Sequence, residues 1–135
     1  MILDSTYTTK DEEKLIRAKV GKPISILKRL QLGGIGSYKM TVVSFSNGFK
    51  ILRKNNDSLT ANIELRPKGI LVHLNQRGTR YTWVIAYHHL AIFSSETYNI
   101  HAAGEFLKFE KNKAFGINEK FLNRMLQEKQ KQLSY

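Results

Sequence analysis

The sequence contains no cysteine, only two prolines and no apolar run of the roughly 20 residues needed to cross a bilayer. The lack of cysteine excludes disulfides, thiolate metal sites and cysteine nucleophiles. With so little proline and nine glycines there is no low-complexity linker, so the 135 residues are expected to form one domain with its own core. The N-terminus has no basic, apolar leader pattern. We therefore expect a protein that is neither exported nor integral to a membrane, and that is cytoplasmic or peripheral at the inner membrane surface.

Acidic residues are also scarce, since 11 Asp and Glu stand against 22 Lys and Arg and give a net charge of +11. The surplus is largest between residues 39 and 80, where eight basic residues stand against two acidic ones. Such a balance favours an anionic partner: an acidic protein, an anionic lipid surface or a nucleic acid. The candidate ligand-binding residues are seven of these eight basic side chains: Lys50, Arg53, Lys54, Arg66, Lys68, Arg77 and Arg80.

Residues 1–36 have the pattern of a helical N-terminal extension. Thr9 followed by Glu12 has capping-box spacing, and Gly21 is a suitable end for the first helix. Pro23 suits the first turn of a second helix, "PISILKRLQL". The apolar stripe of the first helix consists of Leu15, Ile16 and Val20. These helices are expected to pack on the sheet, to lie on an anionic membrane or to form a homodimer contact.

The pattern changes to strands from residue 37, where the main domain, 37–135, begins. In "LTANIELR" apolar and polar residues alternate, and Asn-Gly in "SNG" favours a tight hairpin turn with positive φ angles. The strands follow each other too closely for crossover helices, so the sheet should be mostly antiparallel. The predicted strands are KMTVVSF, FKILRKN, LTANIELR, ILVHL, TRYTWVIA, HLAIF, TYNIH and EFLKF.

An amphipathic helix is predicted over 117–131, with Asn118 as its cap. Its apolar face consists of Phe121, Leu122, Met125 and Leu126. A single such helix after a meander of strands is expected to close the open end of the sheet. The predicted fold class is mainly β (α+β), with a bent antiparallel sheet or partly open barrel, a C-terminal capping helix and the helical N-terminal extension.

Four stretches between about Thr60 and Gln130 match parts of a known superfold: the strand, turn and strand "LRPKGILVHL", the Trp83 strand with the turn and strand after it, "RGTRYTWVIAYHHLAIF", the hairpin "YNIHAAGEFLKFE", and the terminal helix. Together they resemble bacterial members of the pleckstrin-homology-like (PH-like) superfold. The resemblance implies a strongly bent sheet capped by the C-terminal helix, and a binding or assembly module rather than a catalyst. Many eukaryotic members bind phosphoinositides or peptides through loops at the open end.

The phosphoinositide motif of that superfold contains an alternating basic pair. The nearest pairs in this sequence, Lys50 with Arg53 and Arg77 with Arg80, are separated by two residues instead of one. The sequence therefore departs from the pattern that phosphoinositide recognition would require.

No catalytic or metal pattern is present in the sequence. There is no G-x-S-x-G motif and no recognisable acid pair, and "GGIG" at 33–36 lacks the spacing of a phosphate-binding loop. Successive strand residues point to opposite faces, so His88 and His89 in "YHHL" cannot both face one ion unless the backbone bends between them. They are interpreted as a bend between two core strands, and His73 and His101 as ordinary strand-end or surface histidines. We predict no enzyme activity, no cofactor and no metal.

The favoured function is thus a non-catalytic binding or assembly module for an anionic protein or lipid headgroup. The alternative is a nucleic-acid-binding protein that uses the basic strands of residues 39–80, with Phe45, Phe49 or Tyr81 as stacking surfaces. Trp83 is assigned to the core beneath the C-terminal helix, since a lone tryptophan on a strand commonly buries a large area there.

Overall fold

A computed structural model describes residues 2–4, 9–25, 27–28, 34–49, 59–76 and 78–133. Its strands form one sheet in the order β1-β5-β4-β3-β2-β8-β7-β6, with antiparallel neighbours throughout and with β1 and β6 at the edges. The strands are β1 (Ile2–Asp4), β2 (Met40–Phe45), β3 (Thr60–Arg66), β4 (Gly69–Gln76), β5 (Thr79–Ala86), β6 (Ala91–Ser94), β7 (Thr97–Ala102) and β8 (Glu105–Glu110). The helices are α1 (Lys10–Val20), α2 (Lys113–Gly116) and α3 (Glu119–Leu133). The predicted β-rich α+β class with a C-terminal helix is confirmed.

Helix α1 begins and ends where its capping residues predict. The Thr9 hydroxyl accepts a hydrogen bond from the Glu12 amide at 3.2 Å and donates one to the Glu12 carboxylate at 3.1 Å. Gly21 follows the helix with φ of 91°, a conformation that favours glycine, and its amide closes the last turn on the Arg17 carbonyl.

The apolar contact of α1 is narrower than the sequence predicts. Ile16 and Val20 are buried in a small cluster with Leu71 and Val84 on the outer face of the sheet. Leu15 is 52% exposed, so it is not part of that stripe. Only two apolar positions of α1 therefore attach it to the sheet, and the rest of its inner side is left for polar contacts.

Two features of the N-terminal region differ from a purely helical extension. Residues 2–4 form strand β1, which pairs antiparallel with β5. Ile24, in the second predicted helix, is buried in the main core, so this side chain packs on its own domain. Half of that predicted helix, residues 26 and 29–32, lies outside the described residues.

Strands β3 to β5 form two hairpins that follow the sequence pattern closely. The apolar residues of "LTANIELR" are all buried, and Arg66 pairs with Gly69 across the two-residue turn. Gly69 has no room for a side chain, because a Cβ would lie 2.2 Å from the Ile85 oxygen and 2.6 Å from Val20 Cγ1. Glycine at this position therefore lets β4, β5 and the end of α1 meet closely.

The "SNG" prediction is wrong in its turn type. Asn47–Phe49 form a 3-10 turn, and neither Asn47 nor Gly48 has a positive φ angle. Phe49, the last residue of this turn, is fully buried in the core. The chain therefore turns inward directly after β2 and does not form the predicted tight hairpin turn. The predicted strand FKILRKN begins at Phe49, which is in this turn, and its other residues, 50–55, are outside the described part of the chain.

The "YHHL" stretch is a 3-10 turn, Tyr87–His89, between β5 and β6. This confirms the break in the long apolar run, but both histidines are exposed on the turn and do not share strand faces with their neighbours. Tyr87 is buried, and its hydroxyl donates to the Arg66 carbonyl at 3.1 Å. Strand β6 is an edge strand, so the turn joins one core strand to the rim of the sheet.

The main core lies between the inner face of the sheet and α3. Trp83 is 1% exposed within it, as predicted. Phe121, Leu122 and Met125 are buried against the sheet, whereas Leu126 is 39% exposed and lies at the border of this face. None of the described helices is long and apolar enough to cross a membrane.

Asn118 does not cap α3 with its side chain as predicted. Its Oδ1 accepts from the Tyr38 amide at 2.8 Å, and its Nδ2 donates to the carbonyls of Tyr38 and Ala114. Asn118 is 1% exposed, and its three hydrogen bonds connect the chain before β2 to the start of α3. The asparagine that caps a helix is Asn112, whose Oδ1 accepts from the Phe115 amide in α2.

Candidate functional site

The structure describes three of the seven predicted ligand-binding residues, Arg66, Lys68 and Arg80. Arg66 and Arg80 line the same cavity, of about 170 Å³. Lys68 is exposed in the β3–β4 turn and does not line it. The other four predicted residues lie outside the described ranges: Lys50, Arg53, Lys54 and Arg77.

This cavity lies between α1 and the outer face of β3, β4 and β5. Cross-strand register places His73 beside Thr82, and Arg80 beside Asn75, on that face. Helix α1 contributes Glu13 and Arg17, one turn apart and on the side next to its buried residues. We call the cavity the arginine cleft, after Arg17, Arg66 and Arg80.

Glu64 lines the arginine cleft, where it contacts both Arg66 and His73. Its Oε2 accepts from Arg66 Nε at 2.7 Å, and its Oε1 lies 3.3 Å from His73 Nε2. Burial by itself would raise the pKa of Glu64, but the hydrogen bonds and charges of His73 and Arg66 outweigh it and lower the pKa to about 2. Glu64 is therefore ionised at any physiological pH.

His73 is buried in the middle of β4, contrary to its interpretation as an ordinary strand-end or surface residue. Its Nδ1 lies 3.0 Å from Thr82 Oγ1. Because the ionised Glu64 can only accept, Nε2 of His73 must donate to it. In the neutral ring Nδ1 is then the acceptor, and the Thr82 hydroxyl donates to it.

Arg66 is fixed at the edge of the cleft by two bonds. Nε donates to Glu64, and Nη1 donates to the Gly21 carbonyl at 3.2 Å. The capping glycine of α1 thus helps position a charged side chain of β3. Among the described residues these two bonds use Nε and Nη1, and neither involves Nη2.

The charges around the cleft favour one small anionic group. Among the described residues that line the cleft, Arg17, Arg66 and Arg80 stand against Glu13 and Glu64, so their formal charges sum to +1 with neutral His73. A single phosphate, sulfate or carboxylate fits this volume and sign. Within the part of the chain that is described, no group of three or more His, Asp or Glu could hold a metal ion.

The predicted stacking residues for nucleic acid are not exposed. Phe49 is fully buried, and Phe45 and Tyr81 are partly buried against the main core. A row of aromatic rings, of which Phe93 is exposed and the other two are half-buried, lies elsewhere, on the outer face of β6, β7 and β8. We call Phe93, His101 and Phe106 the aromatic row.

The rings of the aromatic row stand in contact. Phe93, 57% exposed, meets His101 edge-on with centroids 5.1 Å apart, and His101 stacks on Phe106 at 5.6 Å. Lys108 Nζ lies 5.6 Å from the Phe106 centroid. The three rings of the aromatic row and Lys108 thus lie together on this face.

Sequence patterns did not identify Arg17 or the His73–Glu64 pair as site residues, for two different reasons. Arg17 lies outside the basic region 39–80, although its spacing of four from Glu13 and its place beside Ile16 indicate a partly covered helix face. His73 and Glu64 become neighbours only through the diagonal of the β3–β4 hairpin. Alternation assigns Glu64 to the outer face, but the depth of that face depends on α1 lying over it.

A comparison of the chain with protein-family models, with curated proteins and with solved structures finds no match.

Proposed function

We propose that this protein is a non-catalytic binding or assembly module that takes an anionic group of a protein or a lipid headgroup into the arginine cleft. One observation carries the proposal. Three arginines from three separate elements, Arg17 on α1, Arg66 on β3 and Arg80 on β5, line one small cavity. Arginine forms charge-assisted, bidentate hydrogen bonds with phosphate and carboxylate, which suits such a site.

The fold we propose for this module is PH-like. The order of its strands supports this proposal, because β2 to β5 form one antiparallel meander, β6 to β8 form a second, and β2 joins them through β8. Helix α3 follows the second meander and packs on the inner face. The arginine cleft is on the outer face under α1, so the proposed ligand site differs from the loop sites of the eukaryotic members.

The order Glu64, His73, Thr82 resembles a catalytic triad, but its setting argues for binding. Thr82 is 1% exposed in the middle of β5. Its backbone pairs with Leu3 of β1 on one side and with His73 of β4 on the other. A nucleophile needs an accessible oxygen and nearby donors for an oxyanion. The proposal is therefore that this trio shapes the cleft and does not attack a substrate.

The test measures binding of the whole protein to vesicles with an anionic lipid, to neutral vesicles and to an acidic peptide, each over a salt series. The double variant Arg17→Gln/Arg80→Gln removes two cleft charges and spares the Arg66–Glu64 pair. The control Lys113→Gln/Lys120→Gln removes two exposed charges on α2 and α3. We expect the cleft variant to lose about tenfold or more in affinity, since one charge-assisted bond contributes about 1.5–3 kcal/mol.

Equal losses in the two double variants would show non-specific attraction and would refute the cleft as the site. A preference for anionic vesicles would assign the protein to the inner membrane surface, and a preference for the acidic peptide would assign it to a cytoplasmic protein partner. Absence of binding to either, at low salt and at physiological salt, would refute the proposed function.

Nucleic-acid binding is the second candidate, and the aromatic row favours it. Contacting rings on an open sheet face offer stacking surfaces for unpaired bases, and Lys108 lies beside them. Fluorescence anisotropy with a labelled oligothymidylate tests it. Phe93→Ala and Phe106→Ala should each weaken binding about tenfold, with exposed Leu126→Ala as the control; equal affinity in all three would exclude this face.

A further inference from the structure

Among the described residues that line the arginine cleft, His73 is the only one whose type changes charge between about pH 5 and 8. The other charged groups around it are Glu13 and Arg17 on α1, Glu64 and Arg66 on β3, and Arg80 on β5. Carboxylates and guanidinium groups keep their charge across that range. For the described part of the lining, a change of charge near neutral pH therefore comes from His73.

The hydrogen-bond partners of His73 allow its ring to carry a second proton. Nε2 faces Glu64 Oε1 at 3.3 Å, and Nδ1 faces Thr82 Oγ1 at 3.0 Å. A carboxylate and a hydroxyl oxygen both accept hydrogen bonds. The imidazolium would thus have an acceptor at each ring nitrogen, although the residue is only 6% exposed.

We infer that anion binding in the arginine cleft takes up a proton at His73. The inference rests on the proposed function and specifies how that site is regulated. The proton comes from solvent and binds Nδ1, which changes from acceptor to donor. The Thr82 hydroxyl then accepts from Nδ1, and its own hydrogen no longer points at His73. An anion in the cleft and the positive imidazolium stabilise each other.

Charge balance gives the direction of the effect. The described lining residues sum to +1 with neutral His73, so a bound dianion brings this sum to −1, and the proton brings it to 0. Glu64 remains ionised because its pKa is lowered to about 2, so it stays an acceptor for Nε2 throughout. Affinity for anions must consequently rise as pH falls.

Sulfate is the probe, because it keeps two negative charges between pH 5.5 and 8.5 and so contributes no proton of its own. Isothermal titration calorimetry of the full chain at several pH values, in two buffers of different ionisation enthalpy and at constant ionic strength, gives both Kd and protons taken up. The Kd should fall about threefold to tenfold from pH 8 to pH 6, within the limit of tenfold per pH unit for one proton. Net uptake should be measurably above zero and at most one proton.

The variant His73→Gln removes the titrating ring and should bind sulfate with no proton uptake and a pH-independent Kd. His88→Gln and His89→Gln, which change exposed histidines of the β5–β6 turn, are the matched controls and should keep the uptake. If His73→Gln does not fold, Thr82→Val tests the same step by removing the acceptor for Nδ1, and Thr82→Ser should restore it.

The outcomes separate the two claims. Sulfate binding without proton uptake in the wild-type protein would overturn the inference and leave the proposed function in place. Uptake that persists in His73→Gln or in Thr82→Val would also overturn it. Failure of sulfate to bind at any pH would instead refute the arginine cleft as an anion site.

Discussion

The ring of Phe49 meets the indole of Trp83 edge-on, with centroids 5.0 Å apart and planes at 78°. Both side chains are almost fully buried, and they join the turn after β2 to the centre of β5. Trp83 is the single tryptophan, so its fluorescence reports directly on this contact.

Phe49→Ala should lower the free energy of unfolding by about 3–5 kcal/mol, since it removes a large buried ring and leaves a cavity. Urea unfolding followed by Trp83 emission measures the loss, and the native emission should shift to longer wavelength. The exposed Phe93→Ala is the control, with an expected loss below about 1 kcal/mol. An unchanged unfolding midpoint for Phe49→Ala would contradict the assignment of Phe49 to the core.

Gly69→Ala should destabilise the protein by about 1–3 kcal/mol, because the new methyl group would overlap the Ile85 oxygen and the Val20 side chain. Differential scanning calorimetry gives the change in Tm. Gly116→Ala, in α2 with open space around it, is the matched substitution and should be neutral or stabilising by up to about 1 kcal/mol. Equal Tm values for the two variants would argue against the close approach at Gly69.

The lowered pKa of Glu64 makes stability depend on pH at the acid end. The unfolded carboxyl titrates near 4.5 and the folded one near 2, so the contribution is fully present above pH 4.5 and is lost as pH falls through 2. That contribution is on the order of 3 kcal/mol. Urea midpoints from pH 2 to 6 should therefore separate wild type from Glu64→Gln at pH 6 and converge near pH 2. Glu96→Gln, in the exposed β6–β7 turn, should run parallel to wild type.

Asn118→Ala should cost about 2–3 kcal/mol, because it removes three hydrogen bonds of a buried side chain, to the amide and carbonyl of Tyr38 and to the Ala114 carbonyl. Hydrogen exchange at the Tyr38 amide should accelerate in this variant. Asn112→Ala removes only the cap of α2 and should cost about 1 kcal/mol with no change at Tyr38. Slow exchange at Tyr38 in Asn118→Ala would exclude the bridge.

His88→Gln/His89→Gln should change the free energy of unfolding by no more than about 0.5 kcal/mol, since both side chains are exposed on a 3-10 turn. The bend interpretation of the sequence alone, with both histidines on strand faces, would predict a larger loss. Thermal unfolding by circular dichroism distinguishes the two.

Local signals in the sequence determined the elements of this protein. The Thr9 cap, the terminal Gly21, the alternation in "LTANIELR" and the apolar face of α3 are short-range patterns, because capping and side-chain period depend on a few neighbouring residues. They sufficed for helix α1, for the hairpins from β3 to β5 and for the C-terminal helix. Strand β1 has only three residues and no such pattern, and it exists because β5 offers it a free edge.

The site depended on the tertiary structure. Sequence charge pointed to Arg66 and Arg80, but only the placement of α1 over β3 to β5 brought Arg17 beside them. The depth of Glu64 and His73 likewise follows from strand register and from that helix, which are set by long-range packing and not by any local preference. Composition thus predicted an anionic partner, and the packing of α1 on the outer face of the sheet decided where three arginines and one buried histidine meet.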